Sequence, residues 1–306
     1  MFDKIVVVSR KTRLAELIER FNTRAQAKFY IERAGGNFAD YVDEDAAYQR
    51  SMEIVLRQLA LGLKLQRIDR ALVPTYLFSD RDLIVTVGQD GLVANTARYA
   101  GAQPIVAVNP DPARFDGVLL PFAPSDLRAA VTRTIERRAP IRAVTLAEAS
   151  LADGQRLVAF NDLFIGARSH VSARYRITID EVSEDHSSSG VLVSTGAGST
   201  GWMSSVFNMA SGVAAFTGGS AGPARTLGWE DPRLLYVVRE PFRSRHSQAT
   251  MIAGMVESGH SVTLESLMPS GGVIFGDGVE TDFLAFESGA TATLRAAAQR
   301  AQLVAR

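Results

Sequence analysis

Residues 82–101 read DLIVTVGQDGLVANTARYAG. The first six residues form an apolar run of the kind found in parallel strands covered on both faces, and VANTARYAG is typical of a helix. The turn between them, residues 88–91, would bring backbone N–H groups and a helix N-terminus to the carboxyl edge of a sheet, where anions bind in open α/β folds. The stretch therefore predicts a strand, a phosphate-binding turn and a helix.

The rest of the first 140 residues repeats this alternation of strand and helix. KIVVVSR at 4–10 and PIVAVN at 104–109 indicate further buried strands, and the first is followed by apolar residues at helical spacing. A second helix is predicted over 44–65, whereas AGGNFAD at 34–40 indicates a loop or the approach to a short strand. The alternation predicts an α/β lobe with a doubly wound, Rossmann-like sheet over residues 1–140.

After Pro140 the pattern changes to short strand-like runs separated by turns rich in Gly, Ser and Asp. One helix is predicted, near 203–211. A chain of 306 residues exceeds what one hydrophobic core usually fills. We therefore expect a second, β-rich and sandwich-like lobe over residues 141–306.

Composition excludes several classes of function. Lys plus Arg and Asp plus Glu both number 33, so no overall field would attract nucleic acid or anionic lipid. No apolar window reaches the about 18 residues that a membrane helix needs, and the apolar run at the amino terminus is too short for a signal peptide. These features predict a protein without nucleic-acid or membrane partners, in the cytoplasm.

Metal and thiol chemistry have few candidate residues. Cysteine is absent, and the four histidines are far apart in the sequence. Disulfides, thiolate catalysis and the usual zinc-ligand spacings are therefore excluded together. The sequence predicts no metal ligands of its own, so a metal ion would arrive with a substrate.

Two glycine-rich segments imitate known motifs. Gly196, Gly198 and Gly201 form a G-x-G-x-x-G, but no acidic residue follows at about 20 residues, as a dinucleotide-binding βαβ unit requires. GGSAG at 218–222 imitates the nucleophile elbow of hydrolases, but Pro223 follows where a helix should begin. Both are interpreted as loops, with Ser220 as a loop serine.

Asp90 is unusual beside a phosphate-binding turn, because a carboxylate is repelled there unless it accepts a proton, a hydroxyl or a cation. The local sequence leaves two readings open. In the first, Asp90 acts chemically in this way; in the second, it only caps the helix that follows.

Six segments, taken in order from about Asp82 to the end, resemble the NAD kinase family, most closely its mitochondrial-type branch. They are VGQDGLVANTARYA, IVAVNPDPARFDGVLLPF, FNDLFIGARSHVSARYRI, SSGVLVSTGAGSTGWMSS, YVVREPFRSR and IFGDGVETDFLAFESG. The resemblance implies an NAD kinase-like fold with the active site between the two lobes. It also implies phosphoryl transfer from ATP, with Mg²⁺ on the nucleotide, to the 2′-hydroxyl of the adenosine ribose of NAD, in a homodimer or homotetramer.

The resemblance also implies roles for particular residues. The family's Gly-Gly-Asp-Gly-Thr motif falls on 88–92, which makes Asp90 the catalytic base and lets the backbone at Gly88, Gln89 and Gly91 approach the ligand. The family's Asn-acid pair falls on Asn161 and Asp162, which would hydrogen-bond NAD. Its Thr-rich loop supplies the remaining NAD-binding residues: Thr195, Ser199, Thr200, Gly201, Trp202 and Ser205.

The chain departs from the family motif at two positions. Gln89 replaces the second glycine, which is costly if φ there must be positive, and Leu92 replaces a threonine hydroxyl near the phosphates. Two alternatives follow. One is a weakly active or non-catalytic NAD(P)-binding protein on the same scaffold, and the other is a kinase for a sugar or lipid hydroxyl.

Overall fold

In the computed structural model, which describes residues 2–306, the chain divides after Arg142 into two units. Unit 1 comprises the residues up to Arg142 together with Gln302–Arg306, and unit 2 comprises Ala143–Ala301. The end of the chain therefore returns to the unit in which the chain begins.

Unit 1 is built on a parallel sheet in which four strands run in the order β2-β1-β3-β4. Its elements are β1 (Lys4–Ser9), α1 (Arg13–Phe21), α2 (Arg24–Arg33), α3 (Phe38–Gln58), β2 (Lys64–Asp69), β3 (Asp82–Val87), α4 (Asp90–Tyr99), β4 (Pro104–Val108) and α5 (Leu127–Ile135). All six residues of β3 are buried, as expected for a strand covered on both faces. Gln302 and Leu303 pair in parallel beside β4.

Side-chain caps determine where the first three helices begin. Thr12, Thr23 and Asn37 each accept a hydrogen bond from a backbone N–H of the following helix. Because Asn37 caps α3, the prediction of a loop or short strand over 34–40 is wrong for residues 38–40, which are helical. The helix predicted over 44–65 ends at Gln58, and α2 was not predicted.

Two antiparallel sheets make up unit 2. The elements that follow α5 are β5 (Ile141–Leu151), β6 (Arg156–Ala159), β7 (Asp162–Ala167), β8 (Ala173–Ile179), β9 (Val182–Ser188), β10 (Val191–Ser194), α6 (Trp202–Phe216), β11 (Leu234–Val238), β12 (Ala253–Val256), β13 (Val262–Ser266), β14 (Gly272–Gly276), β15 (Phe283–Ala285) and β16 (Thr291–Val304). One sheet has the order β12-β11-β10-β7-β14-β15. The other runs β16-β13-β8-β9, with β5 beside β16 and β6 beside β5.

Side chains from both sheets of unit 2 share one core, which makes the unit a sandwich. Leu163 and Ile165 of β7 lie in this core with Tyr175 of β8 and Leu264 of β13. Since side chains alternate along a strand, Asp162 and Phe164 belong to the opposite face of the six-stranded sheet. The parallel sheet and the separate antiparallel sheet confirm the predicted fold class.

Helix α6 packs on that opposite face through its first turns. Met203 joins a small core with Leu192 and Leu235, but most of the helix is exposed. The helix carries no charged residue, and Val213 and Phe216 are 58% and 92% exposed. It is longer than predicted. No helix among residues 2–306 is both long enough and apolar enough to cross a membrane.

Neither of the two glycine-rich segments, 196–201 and 218–222, has the structure of the motif that its sequence imitates. Residues 196–201 follow β10, which pairs antiparallel to both of its neighbours, so no βαβ unit exists there. Ser220 is exposed in a segment without regular structure that follows α6 directly. Both are loops, as predicted.

Candidate functional site

The Gly-Gln-Asp-Gly turn lies at the carboxyl end of β3, where the sequence predicts it. Gln89 has φ −97° and ψ 169°, an extended conformation that any L-residue adopts. The glutamine therefore causes no backbone strain, because φ at this position is not positive. A Cβ at Gly88 would lie 2.8 Å from Cδ2 of Leu92 and would require that side chain to shift, whereas one at Gly91 would meet nothing within 4 Å.

Asp90 is oriented by the loop that follows β4. Its Oδ1 accepts a hydrogen bond from Leu119 N at 2.6 Å. Asn109 folds this loop back, since its Nδ2 donates to Phe115 O at 2.9 Å and its Oδ1 accepts from Asp111 N at 3.1 Å. The N-cap position of α4 belongs to Gln89 and has no side-chain capping bond. Asp90 is therefore not the cap of α4, and one of its oxygens is held by a loop that is distant in sequence.

The Asn161–Asp162 pair forms the turn between β6 and β7, and Asp277 binds this turn. Asp277 Oδ2 accepts from Phe160 N at 2.9 Å, and its Oδ1 accepts from Asn161 N at 2.6 Å and from Asp162 N at 3.3 Å. Asp277 N donates in return to Asp162 O at 2.9 Å. Sequence reasoning assigned no role to Asp277. The available signal was the Asp-Gly dipeptide at 277–278, where both residues have positive φ.

The carboxyl group of Asp162 is buried and incompletely bonded. Its Oδ1 has no hydrogen-bond partner among the described residues. Burial raises the pKa of Asp162 to about 7, against the opposing effect of the Ser194 hydroxyl and with a further rise from the negative charge of Asp277. A buried acceptor without a donor suits a ligand hydroxyl.

Two hydroxyls of the predicted NAD-binding loop are buried and used within the protein. Thr195 Oγ1 donates to Phe160 O at 2.7 Å and accepts from Gly198 N at 3.2 Å. Ser199 Oγ donates to Gly196 O at 2.7 Å. These hydroxyls shape the loop, whereas Thr200, Gly201 and Ser205 are exposed.

The glycines of this loop allow close packing of backbone on backbone. A Cβ at position 196 would lie 1.9 Å from Gly228 O, and one at position 198 would lie 2.2 Å from Asn161 O. Glycine is therefore required at 196 and 198 by the protein itself. The second contact places the loop directly against the Asn161–Asp162 turn.

An aromatic cavity of about 610 Å³ lies on the same face of the six-stranded sheet as Asp162. The rings of Phe164 and Trp202 stack with centroids 5.7 Å apart and planes 15° apart, and the Arg239 guanidinium carbon lies 5.3 Å from the Trp202 centroid. Phe275 and Arg168 also line the cavity. Of these residues only Trp202 was predicted, because a single aromatic in a strand is more often core than site.

Asp162 and this cavity are neighbours along β7. Asp162 and Phe164 are two residues apart on one face of the strand, which corresponds to roughly 6 to 7 Å. A hydroxyl acceptor and an aromatic wall at this spacing match a ribose attached to a flat base.

No set of protein side chains forms a metal centre in the part of the chain that the structure describes. Residues 2–306 hold no group of three or more His, Asp or Glu arranged around a common point. Mg²⁺ is commonly bound by one or two carboxylates together with substrate phosphates. A magnesium ion here would therefore depend on phosphate oxygens of a bound nucleotide.

Comparison with known proteins gives three likenesses. No protein-family model matches the chain. A NAD kinase from Chlorobaculum tepidum is 26% identical over 124 residues, which cover 40% of this chain and 43% of that relative. The crystal structure of yeast NADH kinase complexed with NADH has a TM-score of 0.60 at 17% identity. The match covers 99% of this chain and 83% of the yeast chain. The crystal structure of an NAD kinase from Archaeoglobus fulgidus in complex with ATP has a TM-score of 0.56 at 16% identity. The match covers 98% of this chain and 93% of that chain.

The chain is thus similar to NAD kinases in part of its sequence and in its fold. The sequence match supports the predicted resemblance to NAD kinases, and the two structural likenesses confirm the predicted fold. Assignment to the mitochondrial-type branch stays a prediction. Asp90 and the Asn161–Asp162 pair each lie in a turn that is hydrogen-bonded to a segment distant in sequence.

Proposed function

We propose that the chain is an NAD kinase that transfers a phosphoryl group from ATP to the adenosine 2′-hydroxyl of NAD. Asp90 is the general base, and Asn161 and Asp162 bind the ribose. Trp202 and Phe164 form the wall against which a base of NAD stacks. Thr200, Gly201 and Ser205 supply the exposed part of the NAD-binding loop, while Thr195 and Ser199 maintain its shape.

One observation supports NAD binding above all others. A buried carboxyl oxygen of Asp162 lacks a donor, and an aromatic cavity begins two residues away on the same face of β7. An adenosine moiety brings a hydroxyl donor and a flat ring at that spacing. Ordinary core packing would have paired or replaced the Asp162 carboxyl group.

The chemistry follows from the bonding of Asp90. Leu119 N donates a hydrogen bond to Oδ1 of Asp90. Oδ2 accepts the proton of the ribose hydroxyl as the hydroxyl oxygen attacks the γ-phosphorus. The bond between the γ-phosphorus and the β-bridging oxygen then breaks, giving NADP and ADP. Mg²⁺ bound to the triphosphate would neutralise charge on the transferred group.

The non-catalytic alternative is weaker than the sequence suggested. Gln89 has an unstrained backbone, so its presence does not distort the turn. Leu92 is buried and packs beside Gly88 rather than toward solvent. The leucine thus removes one hydroxyl but leaves the turn intact.

One observation favours a lipid acceptor, namely the exposed apolar surface of α6. Helices that lie on membranes, however, usually carry Lys or Arg on the polar face, and α6 carries no charged residue. NAD therefore remains the acceptor that the site favours. Co-sedimentation with anionic vesicles separates the two, and we expect the protein to stay in the supernatant.

The decisive experiment is formation of NADP by the purified chain with ATP, Mg²⁺ and NAD, with NADH as a parallel acceptor. We expect turnover by the wild type and a loss of about 10²- to 10⁴-fold in kcat for Asp90→Asn. The asparagine oxygen can still accept the bond from Leu119 N, so thermal stability should change little. Equal activity of wild type and Asp90→Asn would contradict the assigned base, and absence of turnover with bound NAD would favour the NAD(P)-binding alternative.

A further inference from the structure

Asp277 binds three successive backbone N–H groups with one carboxylate. The donors are those of Phe160, Asn161 and Asp162. Consecutive N–H groups that point to one place form an anion-binding concavity, and here the protein fills it with its own side chain. Bonds to an ionised acceptor are stronger than those between neutral groups, so this turn is held more firmly than an ordinary β-turn.

The carbonyl side of the same turn is held by the glycine loop. Thr195 Oγ1 donates to Phe160 O at 2.7 Å, and Thr195 N donates to Asn161 O at 2.9 Å. The backbone of residues 160–162 is thus bonded on both sides. By contrast, Asp162 Oδ1 has no hydrogen-bond partner among residues 2–306.

We propose that Asp277 is a positioning residue for the NAD site. Asp277 holds residues 160–162 so that the side chains of Asn161 and Asp162 meet the ribose hydroxyls. The inference rests on the proposed function, because it names the group that prepares the NAD-binding turn. A rigid backbone beside the unpaired Asp162 oxygen reduces the ordering that binding would otherwise require. Asp277 itself need not touch the ligand.

The charge of Asp277 gives this role a distinct signature. Burial raises the pKa of Asp162, the Ser194 hydroxyl from β10 opposes the rise, and the Asp277 carboxylate adds to it. Ionised Asp162 is the better acceptor for a ribose hydroxyl, so NAD affinity of the wild type should increase as pH rises through about 7. Without the Asp277 charge, that midpoint should move to lower pH.

The test compares NAD binding by calorimetry, from pH 5.5 to 8.5, for the wild type, Asp277→Asn and Asp153→Asn. Asp153 is the matched control, because it also accepts a backbone N–H, from Gln155 at 3.0 Å, on an exposed turn between β5 and β6. We expect Asp277→Asn to bind NAD about tenfold or more weakly, which is the loss of roughly one charge-assisted hydrogen bond. Its pH midpoint should lie below that of the wild type, and KM for NAD should rise more than kcat falls.

The outcomes separate this inference from the proposed function. If the wild type neither binds nor phosphorylates NAD, the proposed function fails. If the wild type binds NAD but Asp277→Asn has the same affinity and midpoint, the positioning role fails alone. Weaker binding with an unchanged midpoint would also overturn it, because the Asp277 charge would then have no effect on the titration of Asp162. Should Asp277→Asn fold poorly, Asp277→Ser keeps one acceptor without the charge and is read by the same midpoint.

Discussion

At position 162 the chain buries a carboxyl group with one oxygen unpaired, in a region where a hydroxyl, an amide or an apolar side chain would be more stable. Such groups cost folding free energy when ionised, and they are concentrated at sites that bind or react. On the proposed function, a ribose hydroxyl would complete the bonding of Asp162.

Replacing Asp162 should reveal this cost as a pH-dependent gain in stability. The folded-state pKa of Asp162 is raised to about 7, whereas an unfolded aspartate titrates near about 3.9. The stabilising contribution of the protonated group is therefore complete below about pH 4 and is lost as pH rises to about 7. The measurement is the free energy of unfolding by denaturant, without ligand, for Asp162→Asn and the wild type. We expect the stability of Asp162→Asn relative to the wild type to increase by on the order of a few kcal/mol as pH rises from 4 to 8. An equal difference at both pH values would show that Asp162 ionises normally.

Among the elements, Glu44 of α3 connects the start of unit 1 to its third helix. The Glu44 side chain is 3% exposed, and it binds Arg10, which follows β1, and Arg13, which begins α1. Burial raises the pKa of Glu44, but the bonds from Arg10 and Arg13 lower it by more, so that the pKa lies below its usual value. One carboxylate on α3 thereby fixes the connection between β1 and α1.

Glu44→Gln should destabilise the chain at neutral pH by about 3 kcal/mol, because it leaves the partly buried Arg10 without its counter-charge. Since the folded pKa is depressed, this stability is present above about pH 4.3 and is lost as pH falls through the folded pKa. The difference between wild type and Glu44→Gln in urea unfolding should therefore shrink in acid. Glu19→Gln is the control, because Glu19 is 64% exposed with Lys11, and its removal should cost at most about 1 kcal/mol.

Local patterns predicted the elements that are strongly periodic or continuously apolar. The buried strands β1, β3 and β4 and the turn at Asp90 follow directly from such runs. Helix α2 was missed because only Ala27 and Ile31 of its residues are buried, which gives no clear apolar stripe. The roles of Asp277 and Leu119 depend on contacts between distant segments, and no local pattern contains that information.

At the scale of the whole molecule, the chain crosses from unit 1 to unit 2 and then returns. Gln302 and Leu303 extend the parallel sheet beside β4, although they end a long strand whose earlier residues pair antiparallel with β13. Val304 lies in the core of unit 1, and Ala305 N donates to Pro140 O at 2.9 Å. The residues that complete the sheet carrying the Asp90 turn therefore come from the far end of the sequence.

Deletion of Gln302–Arg306 should consequently weaken unit 1. It removes two buried side chains, Leu303 and Val304, each worth about 1.5 to 3 kcal/mol, and it exposes the edge of β4, which then lacks its ladder partner. We expect a lower melting temperature and faster amide hydrogen exchange in β4, while the amides of β7 and β10 keep their protection. Arg306→Ala serves as the control, because it removes only an exposed ion pair with Asp126 and should cost at most about 1 kcal/mol. Unchanged exchange in β4 after the deletion would mean that the parallel sheet is stable without its last strand.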